Sequence, residues 1–342
     1  MTVARPDPEL MALLQRARAQ GASDLHLRCG APPWLRVQGA LAALNEPALT
    51  TAHMQSLLHA MRPDAAPGLE HEQDFAFAAP GLGRYRANVF LHAHGPAAVL
   101  RCIADTAPTL AALQVPPAVP TLLQGSGLVL VTGPTGSGKS TTLAAMVQHL
   151  NQHAALHVLT LEDPIELVHS SQRCLITQRE IGAHSPSFAS ALRAALREDP
   201  DVLLVGELRD LDTIRLALTA AETGHLVLAS LHTRHAAATI ERIVDVFEAS
   251  EKALVRAQLA DALRGVLSQT LLPRADGSGL RAAFELLVGT PAVRHLIREG
   301  KTAQLASVMQ TGAGHGMVTM AQALQRLQAV DLATAPTGVP PL

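Results

Sequence analysis

The sequence predicts an α/β protein whose second half folds as a parallel sheet wrapped by helices. A smaller α+β domain precedes it, and a helical region follows. Three observations predict this. Short apolar runs at Leu128–Val131, His157–Leu161, Val202–Val205 and Leu226–Leu231 alternate with helical patterns. A glycine-rich loop follows the first run directly. Pro108, Pro116, Pro117 and Pro120 separate this half from what comes before.

Along the first hundred residues, Leu10, Met11, Leu13, Leu14 and Ala17 make one apolar helical face, which Gly21 ends. Asp24–Arg28 alternates with period two, as a half-buried strand does. Over Arg84–Leu91, Arg84, Arg86 and Asn88 share one face, and Tyr85, Ala87 and Val89 the other. These features set an α+β domain at 1–104. A Pro-rich linker is expected at 105–120, the α/β domain at 121–335, and a loose tail at 336–342. From about Glu251 onward helices are expected to dominate, with one hairpin-like stretch around Asp276–Gly279.

Composition narrows the function classes. The chain has 342 residues, 48% apolar and 16% charged, which suits a globular protein. Its net charge of −2 supplies no attraction for nucleic acid or an anionic membrane. Aromatics at 2% furnish few platforms for stacking bases. Cys29, Cys102 and Cys174 are far apart and form no CxxC pair, so neither a zinc site nor a disulfide framework is expected. Met1–Pro8 holds no apolar signal core, and no stretch reaches the about 18 apolar residues of a spanning helix. A cytoplasmic location is expected, with membrane contact only through protein partners.

Gly133, Pro134, Thr135, Gly136, Ser137, Gly138, Lys139 and Ser140 match GxxxxGK[ST] between a buried strand and a helix. The glycines let backbone N–H groups curl around phosphates, and the helix N-terminus adds partial positive charge. Lys139 is expected on the β and γ phosphates and Ser140 on Mg²⁺; Thr141 joins the nucleotide-binding set. Hydrolysis needs carboxylates as well. Asp201–Glu207 is an apolar strand ending in a carboxylate, and Leu159–Glu162 is another. Glu207 is assigned to Mg²⁺ through water and Glu162 to the attacking water, roles that can be exchanged. ATP binding and hydrolysis follow, with ATP and Mg²⁺ as the ligands.

His225 and His232 bracket one apolar strand, and both join the candidate site. His232 stands at the carboxyl end, where it can sense the γ-phosphate. Arg193 and Arg197 share a helical face, while Arg86 and Arg101 project from strands. The four are candidate phosphate contacts, within a subunit or from a neighbour; a solvated basic face is the alternative.

These motifs resemble the secretion ATPase superfamily that drives type IV pili and type II secretion, and within it the pilus retraction ATPases. The likeness runs from Ser23–Leu27 and Pro32-Pro33 through an Asp box at Leu161–Glu166, the Arg-rich Phe188–Pro200, a Walker B box at Asp201–Asp210 and a His box at Gly224–Thr233. Gly289–Glu299 is similar to the AIRNLIRE segment of the retraction branch, with Val293 and His295 as departures. Ala292, Val293, Arg294, Leu296, Ile297 and Arg298 are its motor-output candidates. The longer N-terminal region usual in extension ATPases is not expected here, and three cysteines are too few for their tetracysteine zinc motif. The resemblance implies a PAS-like N-terminal domain, a RecA-like ATPase domain and a homohexameric ring that hydrolyses ATP between subunits. It further implies an inner-membrane platform protein and a second retraction ATPase as partners, a peripheral place at the inner membrane, and pilus retraction with twitching motility as the output. An accessory retraction ATPase and a RecA-like nucleic-acid translocase are the alternatives, the latter opposed by charge and composition.

Overall fold

The computed structural model describes residues 2–4, 7–37, 39–62, 72–103, 106–274 and 279–334. They form two compact units: Met1–Thr106 with Pro164–Val168, and Ala107–Asp163 with His169–Leu342.

The first unit comprises β1 (Thr2–Val3), α1 (Pro8–Ala19), β2 (Asp24–Arg28), β3 (Trp34–Val37), β4 (Ala40–Ala43), α2 (Thr51–Met61), β5 (Gln73–Ala79), β6 (Gly83–His92) and β7 (Gly95–Ile103). Asp7 caps α1 by accepting from Leu10 N–H at 2.9 Å, with Pro8 at the tolerant first position. Thr50 caps α2 in the same way. The strands pair in the order β1-β5-β6-β7-β2-β3-β4. Leu25, Leu27, Phe77, Tyr85, Ala87, Val89 and Leu100 are buried, in one core with Leu10, Leu14, Met54 and Leu57 from the two helices. The alternation along Arg84–Leu91 is therefore realised as read, with Tyr85, Ala87 and Val89 inside.

The second unit continues with α3 (Val119–Leu122), β8 (Gly127–Thr132), α4 (Lys139–His153), β9 (His157–Glu162), β10 (Leu175–Glu180), α5 (Phe188–Ala195), β11 (Val202–Val205) and α6 (Leu211–Glu222). Then come β12 (Leu226–Leu231), α7 (Ala236–Asp245), α8 (Lys252–Ala262), β13 (Leu263–Pro273), β14 (Leu280–Val288), α9 (Pro291–Arg298), α10 (Leu305–Thr311) and α11 (Met320–Thr334). The sheet order is β10-β9-β11-β12-β8-β13-β14, parallel except for the last pair. Alternate strand residues feed two cores. Leu128, Leu130, Leu203 and Val205 pack with α6, α7 and α8 residues, and Val129, Val131, Val202 and Leu204 pack with α4 residues. Apolar side chains on both faces are what a parallel sheet between helices demands.

The structure adds one strand to the expected elements and corrects one expectation. β10 is an additional strand that carries no apolar signature, because Leu175–Glu180 has only intermediate or exposed side chains. After Glu251 helices α8 to α11 predominate, as expected, and the hairpin-like stretch joins a long antiparallel pair, β13 and β14, from Gly265↔Val288 to Pro273↔Leu280. Their Leu- and Ala-rich sequences carry little strand propensity, and pairing with β8 overrides it. The residues 275–278 of the expected hairpin turn lie outside the described set, as does the tail 336–342. The proline-rich stretch is no free linker. From Ala107 it belongs to the second unit, where buried Leu110 and Val119 anchor it to the β8 core.

Candidate active site

In the second sheet, strands β9, β11, β12, β8 and β13 are consecutive neighbours. Their carboxyl ends therefore present, in order, Glu162, Glu207, His232 and the Gly133–Ser140 loop, and Gln269 of β13 lies level with the end of β8. Adjacent strands lie about 4.8 Å apart, so residues distant in sequence meet along one edge.

The loop turns sharply into α4. Gly138, at φ 87°, precedes the helix, and a Cβ on Gly133 would lie 2.3 Å from the Gln269 carbonyl oxygen. Only glycine fits that approach. Gln269, 2% exposed, holds the loop from behind. Its Nε2 donates to the Ser137 carbonyl at 2.5 Å, and its Oε1 accepts from Thr142 Oγ1 at 2.8 Å. Ser140 and Thr141 are exposed in the first turn of α4.

Lys139 is 9% exposed. Its Nζ donates to the carbonyls of Gly133 and Pro134 at 2.8 and 3.0 Å, and lies 3.4 Å from His232 Nδ1. His232 Nε2 is 2.9 Å from Glu207 Oε1, and Arg209 Nε is 2.7 Å from Glu207 Oε2. An ammonium has no lone pair to offer, so His232 Nδ1 faces it as acceptor and Nε2–H donates to Glu207. Lys139, His232, Glu207 and Arg209 thus form one polar chain across three strand ends.

Glu162 ends β9 and is half-buried. Its Oε1 accepts from Thr160 Oγ1 at 2.8 Å and from Gln178 Nε2 at 3.0 Å. A carboxylate so held, next to the strand that bears Glu207, can take a proton from water. Among the described residues no cluster of three or more His, Cys, Asp or Glu side chains forms a metal cage. Ser140 and Glu207 offer hard oxygen ligands, and Mg²⁺ at a nucleotide needs only one or two of these besides phosphate and water.

The remaining candidates fall elsewhere. His225 precedes β12 at its amino end, with its carbonyl accepting from Gly127 N–H at the start of β8. Its Nδ1 lies 3.0 Å from the Ala220 carbonyl and 3.3 Å from Thr223 Oγ1, at the end of α6. Because β8 and β12 are parallel, this is the sheet edge opposite the glycine loop, where His225 bonds the end of α6. Arg193 lies 3.6 Å from Asp212, and Arg197 donates to the Arg193 carbonyl at 3.1 Å. In the first unit Arg86 stands 3.7 Å from Asp74 and 3.8 Å from Glu166, while Arg101 donates to buried Asp24 at 2.9 Å. In α9, Val293, Leu296 and Ile297 are buried in the core, so packing accounts for them; Ala292 and Arg298 are exposed, and Arg298 pairs with Asp261. Arg294 Nε donates to the Gly289 carbonyl at 3.0 Å.

Sequence reading missed Gln269, Gln178, Arg209 and Glu285. Glu285, 7% exposed on β14, accepts from Ala236 N–H at 2.8 Å and Met320 N–H at 3.2 Å, the first residues of α7 and α11. A polar residue inside an apolar run was the one available signal for Gln269 and Glu285.

The chain is similar to known proteins over most of its length. It is 50% identical to the type IV pilus retraction ATPase PilT of Pseudomonas aeruginosa over 95% of each chain. It is 39% identical to the type IV pilus ATPase PilU of the same organism, covering 93% of this chain and 85% of that protein. A crystal structure of the pilus retraction motor PilT with bound ADP superimposes with a TM-score of 0.85 at 43% identity, covering 96% of this chain and 97% of that one. The family model described as Type II/IV secretion system protein matches residues 7–285. With a glycine loop, two strand-end carboxylates and His232 on one sheet edge, the chain belongs to the Type II/IV secretion system protein family.

Proposed function

We propose that this protein is an ATP-hydrolysing motor that retracts type IV pili and so drives twitching motility. The observation that carries it is the chain from Lys139 through His232 to Glu207, which links the phosphate cradle to the carboxylate edge. The triphosphate lies in the Gly133–Ser140 loop, and Lys139 exchanges its contacts with the Gly133 and Pro134 carbonyls for phosphate oxygens. Ser140 and, through water, Glu207 supply oxygen ligands to Mg²⁺, which offsets phosphate charge when bound. Glu162 orients and deprotonates the attacking water. His232 reports the γ-phosphate to Glu207, because both partners of its ring belong to the phosphate machinery.

The motor is a homohexamer at the cytoplasmic face of the inner membrane. It acts on a platform protein of the pilus machine, with a second retraction ATPase beside it. Arg86, Arg101, Arg193 and Arg197 contact phosphate in the assembled ring after releasing their present carboxylate or carbonyl partners. Exposed Ala292 and Arg298, with half-buried Arg294, carry output. Support comes from the relatives' described roles and from the absence, among the described residues, of any helix long and apolar enough to cross a membrane.

Two measurements test this. Lys139→Ala and Glu207→Ala are expected to abolish ATP turnover, and normal turnover in either overturns the mechanism. Deletion of the gene is expected to leave many surface pili and no twitching. Loss of all pili would assign the protein to extension instead.

A further inference from the structure

Gln178 sits on β10, opposite Thr160 of β9 in the parallel register, two residues before the Glu180↔Glu162 pair. Thr160, Glu162 and Gln178 consequently point to the same face of the sheet. Two bonds of the Gln178 side chain bear on this edge. Its Oε1 accepts from the His169 backbone N–H at 2.8 Å, and its Nε2 donates to Glu162 Oε1 at 3.0 Å. The first bond settles the orientation of the amide, since a backbone N–H is only a donor and must meet the oxygen. The nitrogen is then turned to Glu162.

Those two partners are the ends of one loop. Glu162 closes β9, and His169 is where the chain rejoins the second unit. The residues between the ends include Pro164–Val168, which belong to the first unit. There Arg84 Nη2 donates to the Ile165 carbonyl at 3.1 Å. A carboxylate at the mouth of a loop held at its far side would be free to follow that loop. A bridge across the mouth holds it to the sheet instead.

We propose that Gln178 is a positioning residue for hydrolysis: its amide clamps the mouth of the Glu162–His169 loop and directs one oxygen of Glu162 away from water, leaving the carboxylate aimed. The proposal rests on Glu162 as the base that activates water. Thr160 contributes the second donor to the same oxygen, at 2.8 Å, and is itself 1% exposed. Gln178 is the member that also reads the loop.

The test is steady-state ATP hydrolysis by the purified full chain in five forms: wild type, Gln178→Glu, Gln178→Leu, Glu162→Gln and Glu162→Gln/Gln178→Leu. Gln178→Glu keeps an acceptor for His169 N–H and loses the donor to Glu162, so it remains informative where Gln178→Leu fails to fold. Both single Gln178 variants are expected to lose about 10- to 100-fold in kcat with KM for ATP within about twofold of wild type, the split expected when a group that orients the base is removed. In the double variant the Gln178 change is expected to add nothing to the loss in Glu162→Gln, because the two act as one unit. Normal kcat in Gln178→Glu overturns the clamp. So does a full additional loss in the double variant. Normal kcat in Glu162→Gln overturns the base assignment instead, so the two failures are told apart.

Discussion

His232 donates to Glu207 across the ends of two adjacent strands, Nε2 to Oε1 at 2.9 Å, with its other ring nitrogen 3.4 Å from Lys139 Nζ. One imidazole therefore spans the distance between the phosphate-binding cation and the strand-end carboxylate. Replacing it removes both contacts and leaves every residue of the glycine loop in the sequence unchanged.

His232→Ala is accordingly expected to lower kcat by about 10²-fold while nucleotide still binds. Steady-state kinetics together with equilibrium ADP binding check this. Unchanged kcat, or lost ADP binding, contradicts it.

Glu285 gives one buried carboxylate to the N-termini of α7 and α11. His235, the residue before α7, supplies no side-chain cap of its own. Glu285→Ala leaves two N–H groups without their acceptor and is expected to cost about 2–4 kcal/mol. Urea unfolding measures it, and Glu285→Gln is expected to recover part of the loss by keeping one acceptor. A change under about 0.5 kcal/mol in the alanine variant would refute the double cap.

The α9 segment separates packing from output. Leu296 is 8% exposed in the core, and Leu296→Ala is expected to cost about 2–4 kcal/mol through the cavity it leaves. Exposed Arg298→Ala is expected to change stability by under about 1 kcal/mol, since its pair with Asp261 is a surface pair. If Arg298 carries output, twitching falls in that variant while ATP turnover persists. Thermal unfolding, turnover and twitching, measured side by side, distinguish the two residues.

Burial pushes the His169 ring down from 6.5 to about 4. The unfolded chain then takes up a proton near pH 6.5 that the folded chain refuses until about pH 4. Stability contributed by this group is complete above pH 6.5 and is lost as pH falls toward 4. Allowing for the ring's partial solvent access, the loss is on the order of 2 kcal/mol. His169→Gln is expected to shrink the difference in urea midpoint between pH 7 and pH 5. An undiminished difference would place the acid sensitivity elsewhere.

Legibility in the sequence followed the range of the interactions. Gly133–Ser140 is a contiguous loop whose glycines, lysine and hydroxyl answer to local geometry, so its strand, turn and helix can be read in order. Glu162 and Glu207 were legible for a related reason, each closing an apolar strand of its own. Strand direction separates His232 from His225 as soon as β12 is known to run parallel to β8. Both are candidates from sequence, and His232 alone of the two lies on the sheet edge that carries the glycine loop.

The residues that aim the site belong to the tertiary structure. Gln269 meets Thr142 across 127 positions, and Glu285 meets Ala236 across 49. Their polarity inside apolar runs is a local signal, but it does not name their partners, because the Leu- and Ala-rich runs of β13 and β14 suit a helix as well as a buried strand. Gln178 shows the limit most plainly, since its strand has no alternation to betray it and its partners lie on either side of a loop. The sequence alone determined a phosphate cradle, its carboxylates and a sheet to carry them, because each is encoded in a few adjacent residues. Which side chains hold them in place was decided only when parallel pairing set distant strands beside one another, about 4.8 Å apart.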